Sequence, residues 1–325
     1  ETQGAQSVEQ QPVEAAPAAA APTGLQPEPW DGASRVNILI IGLDYNSWRG
    51  NTGPPLSDSM ILFTIDPLSK TAGMLSIPRD MWVSIPGFEH SKINTAYQLG
   101  ESYKLPNGGP GLAMQTVEGL IGVPIQYYAQ IDFTAFVYFI DQMGGLKLDV
   151  PYEMFVDIYD DPKGNIKLHP GVQTMPGDYV LAYARARHTE GGDFDRSARQ
   201  QQVVMAVRQR ILDFSLLPVF IQKAPEMYQQ ISSGINTNLT LDQVIQLAWL
   251  AQEIPVENIY NRVIGPEQVQ FGKSPTGLDI LKPIPDLIRV LRDEVFAQAQ
   301  MTGPLDYAGK SSLDLMIEEG ARIKV

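Results

Sequence analysis

Hydrophobic positions come in short runs rich in β-branched residues that alternate with longer segments of helical spacing. Val36-Asn37-Ile38-Leu39-Ile40-Ile41-Gly42 is an apolar run closed by glycine and predicts a buried strand. Met60 to Ile65 and Thr71 to Ile77 flank Asp66-Pro67-Leu68-Ser69-Lys70, a turn-forming cluster, and predict a β-hairpin. After the Gly/Pro-rich loop Asn107-Gly108-Gly109-Pro110-Gly111, Leu112 to Ile121 has apolar residues at helical spacing. Asp132 to Met143 carries Phe133, Phe136, Val137, Phe139 and Ile140 on nearly every side, as a buried helix does, and Gly144-Gly145 ends it. Leu146 to Val150 predicts another strand. Pro176-Gly177-Asp178 opens a short helix through Tyr183, and Phe194 to Phe214 a long one with Val203, Val207 and Ile211 on one face. Leu241 to Gln252 and Leu278 to Phe296 are further helical patterns, the second interrupted by Pro283 and Pro285.

Strands alternate with helices from residue 36 to about 300 without an obvious linker or internal repeat. The expected fold is therefore α/β, a single layered domain over residues 35–300 with a central, mostly β-sheet core and helices on both faces. Residues 1–34 are rich in Ala, Pro, Gln and Glu, with too few branched or aromatic side chains to offset the entropy of ordering, and predict a disordered linker. The chain starts at Glu1 without Met, so the expectation is an ectodomain or mature fragment whose missing N-terminus holds a signal or anchor. Residues 301–325 end on Gly320-Ala321-Arg322-Ile323-Lys324-Val325, which reads like an incipient strand, and predict a C-terminal linker or the start of a truncated region.

Composition narrows the chemistry. Lys plus Arg number 24 against 37 Asp plus Glu, a formal charge of -13, which argues against duplex binding by counterion release and makes nucleic acid an unexpected partner. Residues 1–34 hold five of the acids and no base, so the remainder carries -8. There is no cysteine, which removes thiol nucleophiles, iron–sulfur clusters and disulfides. His90, His169 and His188 are not paired in any zinc pattern, leaving oxygen-ligand metals.

Several motifs fail on inspection. Gly272-Lys273-Ser274 resembles the end of a phosphate-binding loop, but Gly265 precedes it by six intervening residues instead of four and Pro275 follows where a helix would start. No G-x-S-x-G elbow occurs. Asp157-Ile158-Tyr159-Asp160-Asp161 lacks the alternating ligands of an EF-hand and reads as a solvated loop. Asn238-Leu239-Thr240 fits a glycosylation acceptor, a pattern frequent by chance.

The polar chemistry concentrates in Tyr183 to Gln201, where residues 183–199 hold four arginines against three acids. With the preceding helix ending near Tyr183, Arg185 and Arg187 in an extended segment point to one side. After Gly191-Gly192, Asp193 or Asp195 can cap a new helix that places Arg196, Arg199 and Gln200 on one face of its first turns. Cations at a helix start oppose its dipole, so the set makes sense around an anion, and phosphate suits both free N–H groups and the guanidinium fork. The competing reading pairs these arginines with Glu190, Asp193 and Asp195 on a solvated surface. Arg79 follows a predicted strand in Ser76-Ile77-Pro78-Arg79-Asp80, where open α/β sheets bind ligands. Asp44 follows the first strand and Asp58 precedes the second; if those strands are neighbours, the carboxylates approach each other and could hold Mg²⁺ beside a polyphosphate, although both are also ordinary turn formers. Lys92 and Asn94 add a cation and an amide.

In this order Ile-Gly-Leu-Asp44, Ser-Asp58-Ser, Ser-Ile-Pro-Arg79-Asp80, Lys92-Ile-Asn94, Gly-Gly-Pro-Gly, Tyr-Ala-Arg185-Ala-Arg187 and Gly-Asp193-Phe-Asp-Arg196-Ser-Ala-Arg199-Gln200-Gln201 resemble the LytR-CpsA-Psr family from about residue 36 to 250. The resemblance implies an α/β/α phosphotransferase on the extracytoplasmic face of the membrane or in the cell wall, membrane-anchored, with the chain as given its soluble ectodomain. Such enzymes move a glycopolymer from a polyprenyl-pyrophosphate carrier to peptidoglycan through a phosphodiester, with Mg²⁺ assisting. By position it implies Asp44 and Asp58 as metal carboxylates and Arg79, Arg185, Arg187, Arg196 and Gln200 as pyrophosphate contacts, with Arg199, Lys92 and Asn94 beside them. One departure stands out: Leu56 occupies a position where the family often has Arg, so one phosphate contact is lost or comes from elsewhere, for example Arg49.

Phosphoryl transfer needs mostly positioning and charge neutralisation, so Arg79, Arg185 and Arg187 are the candidate catalytic cations, and Asp80 or Asp193 could serve as general base. A polyprenyl tail also needs an apolar slot, for which the candidates are Phe133, Phe136, Val137, Ile140, Val203, Val207 and Ile211, residues otherwise expected as core. The alternatives are a pyrophosphatase with water as acceptor, and a non-catalytic module that binds polyprenyl phosphate or wall polymer.

Overall fold

The computed structural model describes residues 34–43, 53–158, 165–187, 189, 191–211 and 234–296. Asp44, Arg49, His188, Glu190, Tyr159-Asp160-Asp161 of the acidic stretch, the expected end of the long helix at Phe214 and nearly all of both predicted termini lie outside them.

In chain order the elements are β1 (Val36–Leu43), β2 (Ser57–Asp66), β3 (Thr71–Ile77), β4 (Trp82–Ser84), β5 (His90–Lys92), α1 (Thr95–Ser102), α2 (Gly108–Ile121), β6 (Tyr127–Asp132) and α3 (Phe133–Gln142). There follow β7 (Leu146–Val150), β8 (Met154–Asp157), β9 (Asn165–Leu168), β10 (Gly171–Met175), α4 (Gly177–Arg185) and α5 (Gly192–Ile211). The last are β11 (Ile235–Thr237), α6 (Leu241–Glu253), β12 (Ile259–Val263), β13 (Val269–Lys273), β14 (Asp279–Pro283) and α7 (Pro285–Phe296).

A mixed six-stranded sheet, in the order β11-β6-β1-β2-β3-β12, forms the centre. β1 runs parallel to β6 and β3 parallel to β12, while β2 is antiparallel to both its neighbours. The apolar run of β1 is continuous because both its faces are covered. Leu39, Ile41 and Leu43 join α1, α2 and α7 on one face, and Val36 and Ile38 meet Leu247, Leu250 and Ile254 on the other. The expected layered α/β architecture with helices on both faces is what the chain builds. The β2–β3 turn forms as predicted, with Asp66 Oδ1 accepting from the amides of Leu68 and Ser69 at 2.9 and 3.2 Å.

Four boundaries differ from expectation. The Gly/Pro-rich stretch is no loop: α2 already starts at Gly108, because Pro110 is tolerated in a first turn and a Cβ on Gly100 would come within 2.4 Å of the Gly108 carbonyl oxygen. Here glycine serves close contact between α1 and α2. Helix α4 runs on to Arg185, so Arg185 and Arg187 do not share an extended segment. Helix α5 begins at Gly192, with Asp193 and Asp195 both inside its first turn. Leu278 to Pro283 is not helical: β14 pairs with β13 there, and Pro285 opens α7.

The slot candidates divide. Ile140 and Val203 are buried in a smaller core with Leu146, Leu148, Val180 and Tyr183, onto which Phe136, Val207 and Ile211 pack. Val137 is where α3 meets α4, since a Cβ on Gly177 would lie 2.3 Å from its carbonyl oxygen. Ile140 and Phe136 of α3 are thus part of that core. An apolar cavity of about 200 Å³ lies elsewhere, between the sheet (Phe63, Met74, Ile259), Val204, Val207 and Ile211 of α5, and Ala248 of α6.

Candidate active site

Sheet topology gathers one edge. β1 ends at Leu43, opposite Ser57, next to a bulge between Gly42 and Leu43; β2 starts there with Ser57 and Asp58, and β3 leaves there toward Arg79. Because β2 is antiparallel to both neighbours, its beginning and their ends share that edge. The backbone of Asn94 clamps the two loops: its N–H donates to the Arg79 carbonyl at 3.3 Å, and its carbonyl accepts from the Ser57 amide at 3.2 Å.

Arg79 Nη1 donates to Asp58 Oδ1 at 2.7 Å and Arg187 Nη2 to Asp58 Oδ2 at 3.2 Å. Asp193 stands at 3.7 Å from Arg79 Nε and at 3.5 Å from both Arg187 and Arg196. Asp80 takes Lys92 Nζ at 2.6 Å and sits 3.7 Å from Arg79 Nε. Four cations and three carboxylates thus interlock from separate parts of the chain. Burial would lift the Asp58 carboxyl, but Arg79, Arg187 and Arg196 together with the Arg79 hydrogen bond outweigh it and hold the pKa below the usual range. Arg196 is pushed down to about 10, first by burial and also by Arg187 and Arg79, against Asp193 and Asp58.

Arg79 Nε and Arg196 Nε are buried and donate to nothing. A buried donor left unmade costs about 1–3 kcal/mol, so both guanidiniums keep unused hydrogen-bonding capacity within the cluster. Burial of Arg196, at 4% exposure, rules out the solvated-surface reading for that residue.

The other predicted residues fall outside this group. Arg199 is buried; its Nε donates to the Tyr183 carbonyl at 3.2 Å, its Nη2 to that of Ala186, and its guanidinium lies over the Tyr183 ring. Gln200 Nε2 reaches the Ala184 carbonyl at 3.4 Å. Both therefore hold the last carbonyls of α4, from which Arg185 and Arg187 depart, and are positioning residues. Arg185 stacks over the Phe133 ring, 4.5 Å from its centroid, so that slot candidate is a partner of the arginine. Asn94 is buried, and its role on view is the backbone clamp.

Sequence reasoning missed Gln201. Its buried amide donates to Ser76 Oγ at 2.9 Å and to the Arg262 carbonyl at 2.6 Å, tying α5 to β3 just before Arg79. A polar residue on the sheet-facing side of a helix was the available signal. The glycosylation pattern is also explained: Asn238 bonds the Tyr128 amide and the Gln126 carbonyl, and Thr240 caps α6 in a capping box with Gln243.

Asp58 offers an ionised carboxylate with one hydrogen bond on each oxygen, leaving lone pairs for a hard cation. Among the described residues no cluster of three His, Asp or Glu forms a ready-made metal cage. No helix among them is long and apolar enough to cross a membrane.

Comparison with known proteins shows the family and the fold. Bacillus subtilis (strain 168) polyisoprenyl-teichoic acid–peptidoglycan teichoic acid transferase TagT is 31% identical over 218 residues, 66% of this chain and 64% of that protein. The chain therefore spans a little under two thirds of that relative's length. The crystal structure of B. subtilis TagV superposes with a TM-score of 0.65 at 27% identity, covering 82% of this chain and 98% of that one. A structure of TagT bound to LIIa-WTA gives 0.62 at 25% identity, over 81% and 92%. A protein-family model, that of the LytR_cpsA_psr family, matches residues 4–272, and with the sheet edge and its arginine–carboxylate lattice in place, the chain belongs to that family.

Proposed function

We propose that this protein is a phosphotransferase that moves a glycopolymer from a polyprenyl-pyrophosphate carrier to peptidoglycan at the outer face of a bacterial membrane. The observation that carries the reading is geometric. Two elements, β3 and α5, each run from the arginine site to the apolar cavity: Arg79 follows β3 while Ala72 and Met74 line the cavity, and α5 carries Arg196 at one end and Val204, Val207 and Ile211 further on. At 1.5 Å per helical residue the cavity lies about 12 to 22 Å from Arg196. A charged head site and a greasy chamber on shared elements suit an amphiphile with a pyrophosphate head. Each buried methylene contributes roughly 0.8 kcal/mol.

In the proposed reaction the acceptor hydroxyl oxygen bonds to the phosphorus that carries the glycan, the phosphoanhydride P–O bond breaks, and polyprenyl phosphate leaves as an anion held by Arg79, Arg187 and Arg196. The hydroxyl proton passes to a carboxylate. Asp80, which faces the Lys92 ammonium and the Arg79 guanidinium, is the proposed base, and Asp193, facing three guanidiniums, organises them. Asp58 and Asp44 would hold Mg²⁺, which supplies charge neutralisation on the phosphate oxygens. Asp44 follows Leu43, the residue opposite Ser57. Where Leu56 departs from the family pattern, Arg187 already takes the second oxygen of Asp58.

The test supplies a polyprenyl-pyrophosphate oligosaccharide, Mg²⁺ and a peptidoglycan oligomer to wild type, Arg79→Ala and Arg185→Ala. Glycan joined to peptidoglycan by wild type and lost in Arg79→Ala supports the transferase. Phosphate release without joining makes it a pyrophosphatase, and lipid binding with neither product makes it a binding module.

A further inference from the structure

The β13–β14 hairpin borders the site and has no part in the chemistry above. Its register pairs Phe271 with Leu281 and Lys273 with Asp279, so Val269, Phe271 and Lys273 share one face. Val269 and Leu281 anchor that face in the main core, and the Leu281 amide donates to the Asp80 carbonyl at 3.0 Å while Leu281 bridges in parallel to Met81. Met81, Leu281 and Phe271 thus stand on successive strands, which puts Phe271 about 10 Å from the residue after Asp80.

Phe271 is 69% exposed, yet its ring meets that of Phe194 edge to face with centroids 6.3 Å apart, and Phe194 directly follows Asp193. An aromatic ring left in water but held in orientation contributes little to the core and much to a flat apolar ligand. Beside it Lys273 and Asp279 pair at 2.6 Å and leave further donors and acceptors open to solvent. A held ring flanked by exposed hydrogen-bonding groups matches a pyranose, whose C–H face stacks while its hydroxyls and amides bond at the edge. The span from Phe271 to Asp80 is roughly that of a disaccharide, so a sugar stacked on the ring sets its neighbour's hydroxyl at the proposed base.

We propose that this hairpin face, with Phe271 as stacking platform and Lys273 and Asp279 at its edge, is the subsite for the sugar chain of the acceptor. The inference rests on the transferase reading for its orientation, but glycan binding is measured separately from turnover. The probe is a peptide-free tetrasaccharide of alternating N-acetylglucosamine and N-acetylmuramic acid, titrated by calorimetry or ligand-observed NMR into wild type, Phe271→Ala and Phe271→Trp. Phe271→Ala is expected to bind the tetrasaccharide about fivefold more weakly or worse, with Phe271→Trp restoring binding and inorganic pyrophosphate affinity unchanged in both. Equal binding by wild type and Phe271→Ala, or none by wild type, overturns the subsite. A melting temperature unchanged in Phe271→Ala shows that the loss is local. Cleavage of the lipid donor without acceptor reads the phosphoryl site independently, so a failed transferase and a failed subsite give different results.

Discussion

Asp58 Oδ1 accepts a 2.7 Å hydrogen bond from Arg79 Nη1, which ties the first turnward residues of β2 to the loop leaving β3. The pair is partly buried, and a second arginine, Arg187, occupies the other carboxylate oxygen. Asp58 thus bridges two arginines from distant parts of the chain.

Its pKa lies below the unfolded value of about 3.9, so the unfolded chain binds this proton more readily. The stability that Asp58 contributes is therefore complete above that value and lost as the pH falls through the folded pKa. Asp58→Asn is expected to melt below wild type at pH 7, with the gap narrowing progressively as the pH falls below about 3.9. Thermal melts of both proteins across that range check it; a gap that persists at low pH contradicts the assignment.

Arg196 behaves in the opposite sense. Its guanidinium is pushed down to about 10, so keeping it charged costs stability throughout the neutral range, relieved only as the pH rises through that value. Arg196→Met is expected to raise the melting temperature of the ligand-free protein by a few degrees and to weaken inorganic pyrophosphate binding by about tenfold or more. A variant that melts lower and binds normally would show the arginine to be structural.

For Arg199 the expectation is structural. Arg199→Ala strips hydrogen bonds from the carbonyls of Tyr183 and Ala186 and is expected to cost about 2–4 kcal/mol in denaturant unfolding. Pyrophosphate affinity, measured at low temperature where the variant is folded, falls less than in Arg187→Ala.

Ala248 lines the apolar cavity, so Ala248→Phe fills it at a distance from Arg79, Arg187 and Arg196, none of which lines it. Binding of a long polyprenyl phosphate is expected to weaken by about tenfold or more, while a short-chain analogue binds as before. Comparable loss for both chain lengths would move the lipid elsewhere.

Much of this was legible along the chain. Short apolar runs and a turn-forming cluster located β1 and the β2–β3 hairpin, and helical spacing located α3 and α5, because each buries side chains that local sequence must keep apolar. The short pairs β4–β5, β8–β9 and β13–β14 escaped, since strands of a few residues carry too little pattern. Leu278 to Phe296 looked helical throughout because apolar residues before and after Pro283 share a spacing that only pairing with β13 resolves.

By itself the sequence determined which residue types are available: arginines and carboxylates without cysteine, in an order that marks a family, on strands and helices whose alternation requires a layered sheet. Only the tertiary structure decided which of them meet. Arg196 and Arg199 are three apart on one helix, yet one joins Asp193 in the pocket and the other caps α4, because helical spacing gives adjacency but not what lies opposite. Asp58 and Arg187 are 129 residues apart and share a hydrogen bond. That contact exists because β2 runs antiparallel between its neighbours while α4 is held at the same sheet edge, and long-range pairing of this kind is a property of packing that no local pattern encodes.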